Sequence, residues 1–112
     1  MWFIFPQADG LGHSSLSRLY SINSSPEARA YLVHPILGKR IHECCEILLP
    51  LKTDKTTDIF YFPDDFKLMS SITLFKVFTL PGSVFQLMLH KYFEGKPDPI
   101  TILILKECFN IY

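Results

Sequence analysis

Leu37, Ile41, Cys44, Leu48 and Leu51 recur at alternating four- and three-residue steps. That spacing returns to one side of a 3.6-residue helix and to no single side of a strand. It predicts an amphipathic core helix from roughly Pro35 to Leu49, with Ile41 and Leu48 buried. Lys39, His42, Glu43 and Glu46 fall mostly on the other side.

Helix starts and stops punctuate the rest of the chain. Ser25-Pro26-Glu27 joins a capping hydroxyl, a proline suited to the first helical position and an acid in the first turn. It predicts a helix over Pro26 to Val33. Pro63, followed by Asp64 and Asp65, opens another, with Leu68, Ile72, Phe75 and Phe78 or Val77 as its buried face. Pro81-Gly82 ends it. Ser83 caps a helix carrying Val84, Leu87, Met88 and Tyr92, and Gly95 stops it. Asp98-Pro99 starts a last helix through about Ile104, although Ile100, Thr101, Ile102 and Ile104 leave a strand open there. Between these, Lys52 to Thr57 is a polar connection, with a single turn from Thr57 through Ile59 and Phe60. Near the N-terminus, Met1 to Gln7 reads as extended, since Pro6 biases Phe5 away from helix. Gly10 and Gly12 make Asp9 to His13 a turn, after which Ser14 or Ser15 caps a short helix with Leu16, Leu19 and Tyr20.

Composition limits the rest. The 112 residues are 48% hydrophobic and 20% charged, with 10 Phe and 5 Tyr, which is enough for one core and one domain. The expected fold is mainly α: a small single-domain multi-helical orthogonal array with an extended N-terminal segment. Eleven basic and eleven acidic residues cancel. There is no basic field to collect nucleic acid, and no nucleic-acid partner is expected. The zero net charge also removes one protection against self-association. Met1 to Phe5 is apolar but stops at Pro6 without a basic flank, so it reads neither as a signal peptide nor as a membrane span. Cys44, Cys45 and Cys108 are an odd number with one adjacent pair, a poor disulfide framework, and read as reduced thiols of a cytoplasmic protein.

Four segments together resemble a known family. They are Met1 to Gln7 with Gly10 to Ser14; Glu27 to Leu32 leading to His34-Pro-Ile-Leu-Gly38; Pro63 to Leu68 with Ser70 to Phe75; and Tyr92-Phe93 followed by Gly95-Lys-Pro-Asp98. In these motifs the chain resembles the uncharacterised family called domain of unknown function 1810, some of whose members carry an unsupported calpastatin label. The resemblance covers the chain to about Leu105. It implies a mainly α-helical fold and no established activity. Family members begin upstream, with a helical segment ending in basic residues and a His-Trp pair, so the resemblance implies an N-terminal truncation here. The expected organisation is a single helical domain over 1–105 and a divergent tail over 106–112. Trp2, Phe3 and Phe5 would then have to find another groove or face water, and self-association through that apolar strip is the expected consequence.

The densest polar group is Asp64, Asp65, Lys67, Ser70, Ser71 and Thr73. Asp64, Lys67 and Ser71 lie three and four apart and share a helix face. A carboxylate, an ammonium and hydroxyls there suit a phosphate- or sugar-bearing ligand. A charged first turn and hydroxyls bonded to the preceding turn explain the same residues and are the favoured account. Gln7 and His13, beside the paired glycines, form a second group of ligand-binding candidates. Gly-Leu-Gly lacks the rest of the dinucleotide fingerprint, and a plain turn explains it. His42 to Glu46 has one histidine where a zinc helix needs two, and Cys44 and Cys45 point in different directions, so no metal site and no cofactor are expected. His42 and Glu46 read as a solvated face beside a buried Cys44, while His34 reads as capping or packing. Two functions remain open at this point. One is a non-catalytic module binding a small ligand or a protein partner. The other is an enzyme acting on a nucleotide-like or phosphorylated metabolite through Asp64, Asp65, Lys67 and Ser71, with Gln7 and His13 nearby. Convergence of these groups in a pocket favours the second; their spread over a convex surface favours the first.

Overall fold

The computed structural model describes residues 4–11, 21–60 and 64–110. Trp2, Phe3, His13, Pro63 and the short helix expected after Ser14 or Ser15 lie outside them. Within the described residues run α1 (Ser25–Val33), α2 (Leu37–Leu48), a 3-10 turn (Thr56–Asp58), α3 (Asp64–Val77), α4 (Val84–Phe93) and α5 (Pro99–Glu107). No strand occurs among them. The extended N-terminal segment makes one isolated parallel bridge, Ala8 with Ile22. Its two bonds run from the Asp9 N–H to the Ile22 carbonyl (2.9 Å) and from the Ile22 N–H to the Gln7 carbonyl (2.8 Å). The fold is therefore mainly α, and its radius of gyration of 13.0 Å is that of a single domain of this length.

Helix starts follow their sequence signals, with small displacements. The cap of α1 is Ser24, one residue before the expected Ser25. Its hydroxyl accepts the Glu27 N–H (3.3 Å), and the Glu27 carboxylate accepts the Asn23 N–H (2.8 Å). This is close to the reciprocal pattern of a capping box. His34 starts α2: its Nδ1 accepts both the Ile36 and Leu37 N–H at 3.1 Å. Ser83 caps α4. Asp98 caps α5, accepting the Thr101 N–H (3.1 Å) and hydroxyl (2.6 Å). With Pro99 presetting the backbone, that cap makes 99–107 helical despite its β-branched content.

The buried face of α2 is Gly38, Ile41, Cys45 and Leu48. Ile41 and Leu48 are in the core as expected. The buried thiol is Cys45, not Cys44, which is half-buried. Leu51 lies past the helix end and is exposed, because the chain leaves the helical path after Leu49. Gly38 sits against the end of α1, where an added Cβ would stand 2.0 Å from the Leu32 carbonyl oxygen. That close approach sets the α1–α2 crossing and explains why α2 presents 38/41/45/48 inward.

α3 is the central helix, packed on both α4 and α5. Every residue from Ser70 to Phe75 is buried. Phe75 stacks on Tyr31 of α1 (centroids 5.4 Å apart) and meets Phe85 of α4 at 5.8 Å. In α4 the core residues are Phe85, Met88, Leu89 and Tyr92, while Leu87, expected inside, is half exposed. Phe5 is buried rather than facing water, and Phe109 of the expected divergent tail also joins the core. That tail starts inside α5, which runs on to Glu107. No helix among the described residues is long and apolar enough to cross a membrane.

Candidate functional site

The polar cluster of α3 is divided by the helix around its axis. Asp64 and Lys67, one turn apart, form an ion pair at 3.8 Å, with Lys67 largely covered and Asp64 open to solvent. Ser70 and Ser71 point into the protein. The Gln7 carboxamide donates to the Ser70 hydroxyl at 2.6 Å, joining positions 63 apart in sequence. Ser70 in turn directs its own proton back to the carbonyls of Phe66 and Lys67, at 3.1 and 3.2 Å. Ser71, fully buried, has no hydrogen-bond partner for its hydroxyl among the described residues.

Thr73 faces another way. Its hydroxyl donates to the Met69 carbonyl (2.8 Å) and accepts the Asp98 N–H (2.9 Å), pinning the start of α5 to the middle of α3. Asp65 is apart from both groups: one carboxylate oxygen accepts the adjacent Phe66 N–H (2.9 Å). It lines a cleft with Thr56, Phe66, Met69 and Phe93. The structure thus brings Gln7 to Ser70, beside Ser71 and one turn from Lys67, and separates Thr73 and Asp65 from them. His13 lies outside the described residues. Gly10 holds a positive φ of 107° and packs near the Ile104 side chain, a turn position that favours glycine.

Several connections bridge distant segments and carry no local signal. Tyr31 donates its phenol proton to the Ile4 carbonyl (3.3 Å), holding the N-terminal segment on α1. Lys91 donates to the carbonyls of Leu49 and Leu51, and Tyr92 donates to that of Leu48, so α4 satisfies the open end of α2. The Asp98 cap was readable from Asp98-Pro99, but its Thr73 contact was not.

His42, the one histidine in the zinc-like segment, bonds through Nδ1 to the Gly38 carbonyl (2.7 Å) and sets its ring edge-on to Phe85. Beside it, burial pushes the Cys45 thiol up to about 12, with Cys44 and Glu46 adding to the effect. Burial also raises the Tyr31 and Tyr92 phenols. Each of these groups holds its proton more tightly folded than unfolded. The Cys45 contribution to stability is complete below the unfolded thiol value near 9 and is lost as pH rises from there through about 12. The denaturation midpoint is therefore expected to stay level up to about pH 8.5 and fall above it, less steeply in Cys45→Ala. In the same protein at neutral pH, a thiol reagent should modify exposed Cys108 quickly and Cys45 only on unfolding. Rapid labelling of Cys45 in the folded state would contradict this.

Comparison with known proteins bears on the whole chain. No curated protein matches it. The crystal structure of the conserved hypothetical protein Rv1873 from Mycobacterium tuberculosis is similar at 44% identity and a TM-score of 0.89, over 94% of this chain and 75% of that one. The segments that carry the sequence resemblance are, in the structure, mostly fold-forming: His34 and Gly38 start and seat α2, Gly95 (φ 75°) and Asp98 turn α4 into α5, and Thr73 and Ser70 anchor α3. The model of the family described as "Protein of unknown function (DUF1810)" matches residues 1–105. With its match running over nearly the full length and a relative of the same fold at this identity, the chain belongs to that family.

Proposed function

We propose that the chain is a non-catalytic helical module that binds a small phosphate- or sugar-bearing ligand where its N-terminal segment crosses α3. The observation that carries this reading is Ser71, whose fully buried hydroxyl has no partner among the described residues, next to the Gln7–Ser70 bond. Leaving a buried hydroxyl unpaired costs about 1–3 kcal/mol. Such groups are few in folded proteins, and a polar partner from outside the chain is one way to satisfy them. Lys67, one turn away, supplies a cation suited to an anionic group.

The Gln7–Ser70 convergence also favours the competing reading, an enzyme acting on a nucleotide-like or phosphorylated metabolite. Two features support binding over catalysis. The Ser70 proton is committed to backbone carbonyls, and Asp64 is paired with Lys67 rather than aimed at a hydroxyl. A nucleophile needs the opposite arrangement, with a base drawing on its proton.

A thermal-shift screen of the full chain against inorganic phosphate, sugar phosphates and nucleotides tests the proposal. A ligand at a hundredfold excess over its Kd adds about 2.7 kcal/mol of stability. Ser71→Ala should remove that shift while raising the stability of the unliganded protein by up to about 1–3 kcal/mol, since the orphaned hydroxyl is gone. A Ser71→Ala protein that is less stable and still binds would refute the role of Ser71. Turnover of the bound compound would establish the enzymatic reading instead.

A further inference from the structure

A cleft of about 210 Å³ opens between the 3-10 turn, the first turns of α3 and the end of α4, lined by Thr56, Asp65, Phe66, Met69 and Phe93. It uses none of Gln7, Ser70, Ser71 or Lys67. Two aromatic rings and a thioether form its walls, and among the described residues Asp65 is the one formally charged group on its lining. The neighbouring Asp64 faces Lys67 at 3.8 Å. Asp65 has no ion-pair partner among the described residues, and Phe66 is 57% exposed on the helix surface. We propose that this cleft binds a small organic cation, an alkylammonium or alkylguanidinium, with the charge on Asp65 and the stem against Phe66, Met69 and Phe93.

The chemistry follows from the lining. An anion would meet the Asp65 carboxylate and be repelled. A neutral apolar molecule would desolvate that carboxylate without pairing it. A cation answers both the carboxylate and the negative faces of the two rings. The same chain already uses such pairs, with Arg29 over Phe78 at 5.5 Å and Lys91 over Tyr92 at 5.1 Å. The volume lies below the roughly 300–1,000 Å³ of drug-sized ligand pockets, so the occupant is a free amine or guanidine on a short stem, not a peptide.

Titration of the full chain with butylammonium and butylguanidinium, followed by amide NMR shifts, tests this directly. Butanol and butyrate serve as the neutral and anionic counterparts of the same stem. The two cations should saturate with millimolar Kd and move the amides of Asp65, Phe66, Met69 and Phe93. Butanol and butyrate should bind at least about tenfold more weakly. Asp65→Asn should bring cation binding down to the level of butanol, and Phe66→Leu, at an exposed position, should weaken it with helix content unchanged. Equal affinity for butanol would overturn the proposal. So would shifts centred elsewhere, full affinity in a folded Asp65→Asn protein, or binding of an arginine-containing peptide without binding of the free cations. Should Asp65→Asn fail to fold, the comparison of butylammonium with butanol on the unaltered chain decides the matter alone.

Discussion

Gly38→Ala should destabilise the protein by at least the upper end of the usual overpacking cost, about 1–3 kcal/mol. Helix propensity alone argues the reverse, since alanine is better than glycine inside a helix by about 0.8–1 kcal/mol. The outcome is decided by what the new methyl group meets. It would stand 2.0 Å from the Leu32 carbonyl oxygen and 2.9 Å from that of Tyr31. Both obstacles are backbone, so no side-chain rotation relieves them, and α1 and α2 must move apart. That movement would disturb the inward register of Ile41 and Cys45 and strain the His34 cap just before it. Chemical denaturation of the two proteins measures the difference. A Gly38→Ala protein as stable as the parent would show that the close crossing does not exist in solution.

Phe75→Ala should cost about 3–5 kcal/mol. Phe75 is fully buried at the centre of α3, stacked on Tyr31 and tilted against Phe85, so its removal empties the junction of three helices. Of the loss, roughly 0.5–1.5 kcal/mol belongs to the ring pairs beyond area alone. Phe75→Leu should lose distinctly less, since it keeps most of the volume. Against a total stability of about 5–15 kcal/mol, the alanine variant would be only marginally folded. Its denaturant midpoint should drop sharply; a shift worth less than about 1.5 kcal/mol would place the core elsewhere.

What was legible in the sequence was local. Helix starts could be read because proline, a capping oxygen and an acid act within one turn, as at Asp98 to Thr101 and, to within one residue of the cap, at Ser25 to Glu27. The α2 stripe could be read from its period, and Ile41 and Leu48 are buried. The exchange of Cys44 for Cys45 was not legible. A helix face can rotate by a fraction of a turn without violating its pattern, and here the Gly38 contact with α1 sets that rotation. Whether the hydroxyls of α3 lie in a pocket or on a convex surface stays open in the sequence. They are buried because α3 is packed on several sides, a property of the assembly. The Gln7–Ser70 bond spans 63 positions and follows from where the N-terminal segment is laid down, not from either residue's neighbours. For the same reason the Phe66–Phe93 cleft was not foreseen: its walls come from two helices and a turn.

The donors that α4 supplies to the end of α2 have a consequence for how the molecule opens. Leu48, Leu49 and Leu51 lie where a helix ordinarily needs a local stop signal. Pro50 supplies it, having no N–H to extend the helix, and the carbonyls of the three leucines take donors from Lys91 and Tyr92, 40 to 44 positions downstream. Leu48 also accepts the Leu51 N–H at 3.4 Å, but the end of α2 gains its full set of donors only when α4 has docked. Fraying at that point exposes three carbonyls and releases a buried aromatic ring at once, so the two helices share one opening transition. Amide protons at the end of α2 and in the second half of α4 would exchange with a common free energy, and any perturbation that loosens one would be felt in the protection of the other.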